Sequence, residues 1–66
     1  MLVECTYSFY RFCTAGQTYK VLDLDFNHIG SNLVSDIFQI KITDNDNDKM
    51  WYPIKDAYFE FKIVRR

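Results

Sequence analysis

Apolar residues in this chain recur at every second position, and no stretch sustains the 3.6-residue spacing of an amphipathic helix. Period two is the strand period, because successive side chains leave a strand on opposite faces. The pattern therefore predicts an all-β protein, and its turn residues divide it into five short strands. Leu2–Tyr7 opens the chain with Val3, Cys5 and Tyr7 in one phase. In Thr18–Phe26, Tyr19 and Val21 share one phase while Leu22, Leu24 and Phe26 share the other. That switch predicts a bulge or sharp bend near Val21–Leu22. Ser35–Thr43 sets Phe38, Ile40 and Ile42 against Gln39, Lys41 and Thr43. Lys49–Tyr52 returns and stops at Pro53, which has no N–H to give a ladder. Ile54–Ala57 has room for one helical turn, and Tyr58–Val64 closes the chain with Phe59, Phe61 and Ile63 on one face.

The connections have turn chemistry. Ser8–Gln17 breaks the alternation with Ser, Arg, Thr, Gly and Gln among aromatics, so it reads as a long aromatic-bearing loop. Gly16 supplies a turn where a positive φ is required. Asn27–Asn32 has the composition of a turn, and Asp44-Asn45-Asp46-Asn47-Asp48 reads as a hairpin turn. Asp and Asn tolerate left-handed conformations and bond their own backbone. A chain of 66 residues is one domain, spanning 1–66, and a core this small buries only about 60% of its unfolded surface. Large side chains must offset the ordering entropy, and 48% hydrophobic with 18% aromatic content supplies them and argues against disorder. Five short strands around one core predict a small barrel, whose closure removes exposed strand edges. Tyr19, Phe26, Phe38, Tyr52, Phe59 and Phe61 fit its inward phases. Tyr7, Phe9, Tyr10, Phe12, Trp51 and Tyr58 exceed what so small an interior holds, and that surplus points to a binding surface.

Trp51-Tyr52-Pro53, a short turn and an aromatic-rich terminal strand resemble the C-terminal half of Src-homology-3-like barrels. The run from Ala15 to Leu22 is similar to the Gly-x-x-Tyr-x-Val opening of the second strand in short barrel proteins of bacteriophages and bacteria. Phe38-Gln39-Ile40, Asp44 to Asp48, Trp51-Tyr52-Pro53 and Phe59 follow in the same order. The resemblance covers nearly the whole chain. It implies a five-stranded Src-homology-3-like barrel with one short 3₁₀ turn before the last strand. It also implies a viral accessory protein in the host cytoplasm that binds a host protein, a defence or transcription component, and inhibits or redirects it. The proline-rich-peptide grip of the signalling domains is not implied. The third strand opens with Ile37-Phe38 instead of Trp, Asp56 stands where a Tyr follows the Pro, and the long loop holds Arg11 and no acid.

Other classes fare worse. Lone His28 lies in a polar loop without a nucleophile motif, and no Gly-rich phosphate loop is present, so no catalytic residues are assigned. One His and two Cys do not make a zinc set. Asp44 to Asp48 offers calcium-loop oxygens, but Lys49 and Lys55 stand where Gly and the bidentate Glu belong. No metal and no cofactor is expected. Asp44, Asp46 and Asp48 read instead as a solvated acidic turn able to meet a basic partner. Cys5 and Cys13 could form one bridge, yet two cysteines without further staples read as reduced cytoplasmic thiols. No apolar run is long enough to span a bilayer, and the N-terminus lacks a signal peptide's basic region. Net charge is -1, so no global basic field draws nucleic acid. A nucleic-acid module resting on Tyr10-Arg11-Phe12 and on Lys62, Arg65 and Arg66 is the alternative function. The reading favoured is a non-enzymatic binder of another protein, acting as a monomer or small homo-oligomer. Its partner-binding residues are Tyr7, Tyr10, Phe12, Trp51, Pro53 and Tyr58.

Overall fold

The computed structural model describes residues 1–66 and is all-β. Strands β1 (Leu2–Ser8), β2 (Thr18–Phe26), β3 (Ile37–Thr43), β4 (Lys49–Pro53) and β5 (Phe59–Arg65) form one antiparallel sheet in the order β4-β3-β2-β1-β5. No helix is long and apolar enough to cross a membrane.

β2 holds the architecture together because it serves two halves. Its first residues pair with β1, Val3 opposite Tyr19, while the rest pairs with β3, Leu24 opposite Ile40. The bend between them falls where the phase switch predicts it. Val21 faces Ile42 and Asp23 faces Lys41, which leaves Leu22 as the extra residue of a bulge. The two halves close on one core drawn from both: Val3, Cys5, Phe59 and Phe61 from one side, Ile37, Ile40, Ile42 and Tyr52 from the other. Tyr19 and Cys13 complete it. Burying a side chain such as Ile40 or Ile42 contributes roughly 1.5–3 kcal/mol.

The sheet is not closed into a barrel, since β4 and β5 are its two edges. No ladder joins these edges, which meet through the Tyr52 ring of β4 against Phe59 of β5, 5.0 Å between centroids, and through the segment joining them. Phe61 N–H donates to the Ile54 carbonyl at 2.8 Å, and Lys55 bridges Glu60. A second correction concerns the helical turn expected over Ile54–Ala57. That stretch is a bend, and the 3₁₀ turn lies at Val34–Asp36, leading into β3. The cause is Asp56: its Oδ1 accepts the N–H groups of Tyr58 and Phe59 at 2.8 Å each, so its side chain replaces the carbonyls a helical turn would use.

Bulges also explain which alternations fail. Asp25 faces Gln39 and Phe26 faces Ile37, so Phe38 is an extra residue and turns outward while Ile37 and Ile40 both face in. On β1, Thr6 is extra between Cys5 and Tyr7, and Tyr7 leaves the phase of Cys5. Met50, two residues from buried Tyr52, is exposed at the edge of the sheet. Both cysteines are buried as free thiols.

Candidate partner-binding cleft

The loop between β1 and β2 is long and has little secondary structure, so something must fix its path. Asn45 does so. Its N–H donates to the Phe12 carbonyl at 2.8 Å, and its Nδ2 donates to the Arg11 carbonyl at 2.9 Å and to Thr14 Oγ1 at 2.8 Å. Its Oδ1 accepts the Tyr19 hydroxyl, which in turn accepts the Thr14 N–H. One side chain thus joins the aromatic loop to the β3–β4 hairpin and to β2.

The hairpin is organised by Asp44. Its Oδ1 accepts the N–H groups of Asp46 at 3.0 Å and Asp48 at 3.1 Å, while Oδ2 accepts the Tyr52 hydroxyl at 2.6 Å. Asn47 then takes the left-handed conformation with φ 63° that a tight hairpin requires after its turn. Asp44 is therefore not part of a solvated acidic turn. It is 7% exposed, because its carboxylate caps the turn and anchors the core. Burial, followed by donation to Asp44, pushes the Tyr52 hydroxyl far above the usual phenol range. Burial also pushes the Cys13 thiol up to about 12, with Cys5 and then Asp44 adding to the rise. Neither group is poised for chemistry at neutral pH.

Between loop and hairpin lies a cleft of about 290 Å³. Tyr10 and Phe12 from the loop, Trp51 and Pro53 from β4, and Asp46 and Asp48 from the hairpin line it. Asp44 lies at its base with Tyr52 and Phe59, and Met50 and Asp56 complete the wall. The aromatics form one connected surface with Tyr10 at its centre. The Tyr10 ring lies 5.0 Å from Phe9, 5.6 Å from Tyr58, 5.8 Å from Phe12 and 6.1 Å from Phe59. Tyr10 remains 44% exposed and Trp51 39% exposed.

Of the residues expected to meet a partner, Tyr10, Phe12, Trp51 and Pro53 converge on the cleft, and Tyr58 joins through Tyr10. Tyr7 is exposed but lies outside the cleft. Reading the sequence missed Met50 and Asp56 as cleft residues and Asn45 as the joint. Asp56 stood out in the sequence only as a departure from the Src-homology-3 resemblance, which would set a Tyr three residues after Pro53. Asn45 had none, being one amide in a run of alternating Asp and Asn.

The charge of the cleft is one-sided. Asp44, Asp46, Asp48 and Asp56 line it, and no lysine or arginine does. The Lys55–Glu60 ion pair at 3.3 Å and the His28 Nδ1–Asp36 hydrogen bond at 2.9 Å lie elsewhere. The hairpin carboxylates do not form a group that could hold a metal ion. Comparison of the chain with protein-family models, curated proteins and solved structures found no match.

Proposed function

We propose that this protein works without chemistry of its own, by stoichiometric binding of another protein at the cleft between Tyr10 and Trp51. The observation that carries this reading is the continuous exposed aromatic surface running into a cleft braced by side-chain hydrogen bonds. A braced concave site with aromatic walls binds with little ordering cost, and exposed Trp and Tyr commonly dominate interface energy. The neighbour order of the strands, with the last beside the first, supports a Src-homology-3-like strand arrangement, left open between β4 and β5, as the finer description. The sequence resemblance to short bacteriophage barrels is what supports reading it as a viral accessory factor that acts on a host protein in the cytoplasm. Nucleic acid fits the cleft poorly, because four carboxylates without a cation repel a phosphate backbone.

The test is capture from bacterial lysate by the native protein beside a Trp51→Ala, Tyr10→Ala double variant. The expected result is one host protein retained in equimolar amount by the native chain and lost with the variant. Equal capture by both, or tight single-strand binding that weakens steeply with salt, overturns the reading.

A further inference from the structure

The cleft separates charge unusually for so small a chain. It takes four of the nine acidic residues and none of the eight lysines and arginines, which leaves five acids against eight bases elsewhere. Its rim carboxylates are also unspent. Asp46 and Asp48 enter the hydrogen-bond network through their backbone N–H groups or carbonyls, and their carboxylates accept no hydrogen bond and join no ion pair. Asp56 uses only Oδ1, for Tyr58 and Phe59. Asp44, by contrast, has both oxygens engaged and contributes charge from the base of the cleft.

The walls between these acids are aromatic. Trp51 already attracts a cation inside the molecule, with Lys41 Nζ 6.0 Å from its ring centroid. A flat cation that stacks on rings while bonding carboxylates is what such a site discriminates for. Arginine does both: its guanidinium is planar, lies on aromatic faces and bonds carboxylates in pairs. At about 290 Å³ the cleft is at the small end of ligand sites, suited to one long side chain with its flanking backbone.

We propose that the cleft receives an arginine side chain from a basic segment of the partner, its guanidinium stacked against the Tyr10, Phe12 and Trp51 walls and held by Asp46, Asp48 and Asp56. This rests on the protein-binding reading and adds the chemistry of the residue recognised.

The probe is N-acetyl-arginine amide, titrated into ¹⁵N-labelled protein, with the uncharged isostere N-acetyl-citrulline amide as its control. Arginine is expected to shift the Trp51 indole N–H and the Asp46 and Asp48 amides along saturating curves that weaken as salt rises. The Asp46→Asn, Asp48→Asn variant keeps the fold, because neither carboxylate makes an internal bond, and it binds about tenfold more weakly. Citrulline matching arginine, or shifts that avoid the hairpin and Trp51, overturns the proposal. The lysate capture separates the two claims. A partner released by Trp51→Ala, Tyr10→Ala but held undiminished by the Asp46→Asn, Asp48→Asn variant sinks the arginine assignment and leaves the protein-binding reading standing.

Discussion

At Asp44 a carboxylate accepts two backbone N–H groups and a phenol hydroxyl while 7% exposed, so hairpin and core share one anchor. Such a buried charge is tolerable because its oxygens are satisfied, and no buried side-chain polar atom lacks a partner. Cys13 and Tyr52 beside it stay protonated for the same reason of burial. That couples stability to alkaline pH. In the unfolded chain the Cys13 thiol ionises near its ordinary 9.0, whereas in the folded chain it ionises at about 12. Between those values the folded state binds more protons, so stability is fully present below pH 9 and falls as pH rises toward 12. The raised Tyr52 hydroxyl acts in the same direction above its ordinary 10.0. Melting temperature measured by circular dichroism is therefore expected to be flat from neutral pH up to about pH 9 and to decline beyond it. The Cys13→Ala variant should show a shallower decline, and an identical slope would place the effect in other groups.

The elements show what a period-two pattern conveys and what it omits. β2 lies where its alternation put it, bend included, because a phase switch within one strand is visible as a change of parity in the sequence. The bulges at Thr6 and Phe38 left no such mark. Phe38 alternates cleanly with Ile40 in sequence, and only its pairing with β2 turns it outward. The cleft was legible in part for the same reason. The surplus of aromatics could be counted, but the contact between loop and hairpin that gathers them depends on Asn45, whose role is set by residues more than 25 positions away. Asn47 was legible through its chemistry, since Asn tolerates the positive φ found there. Asn47→Gly should stay within about 0.5 kcal/mol of the native chain, since Gly adopts the same backbone without steric cost. Asn47→Val should cost about 1–2 kcal/mol, a drop of several degrees in melting temperature for a domain this small. Equal melting temperatures for the two variants would show that the hairpin has another conformation in solution.

For the whole molecule, the accessible surface of 4670 Å² for 7.9 kDa lies slightly above the roughly 4400 Å² that the size scaling of folded monomers gives. The core is correspondingly small, with 11 of 66 residues buried. Domains of this size rarely hold more than about 3–5 kcal/mol of stability. Removing most of the fully buried Ile40 side chain costs about 2–5 kcal/mol, so Ile40→Ala is expected to unfold much or all of the protein at room temperature. The exposed aromatics answer to a different demand. Tyr10, Phe12, Trp51 and Tyr58 each keep two-fifths or more of their surface in water, or nearly so, and truncating one sacrifices only the part already covered. A Trp51→Ala, Tyr10→Ala protein should therefore keep a cooperative urea transition, losing about 1–2 kcal/mol for each truncated side chain. A molecule with so little stability to spare keeps large apolar side chains in solvent at a cost in solubility, and the core does not use them. Urea unfolding of both variants beside the capture experiment tests that division of labour. If the double variant unfolds as readily as Ile40→Ala, the aromatic surface belongs to the core, and loss of partner capture would carry no information about binding. If it keeps a cooperative transition and still loses the partner, the surface is an interface that folding alone does not explain.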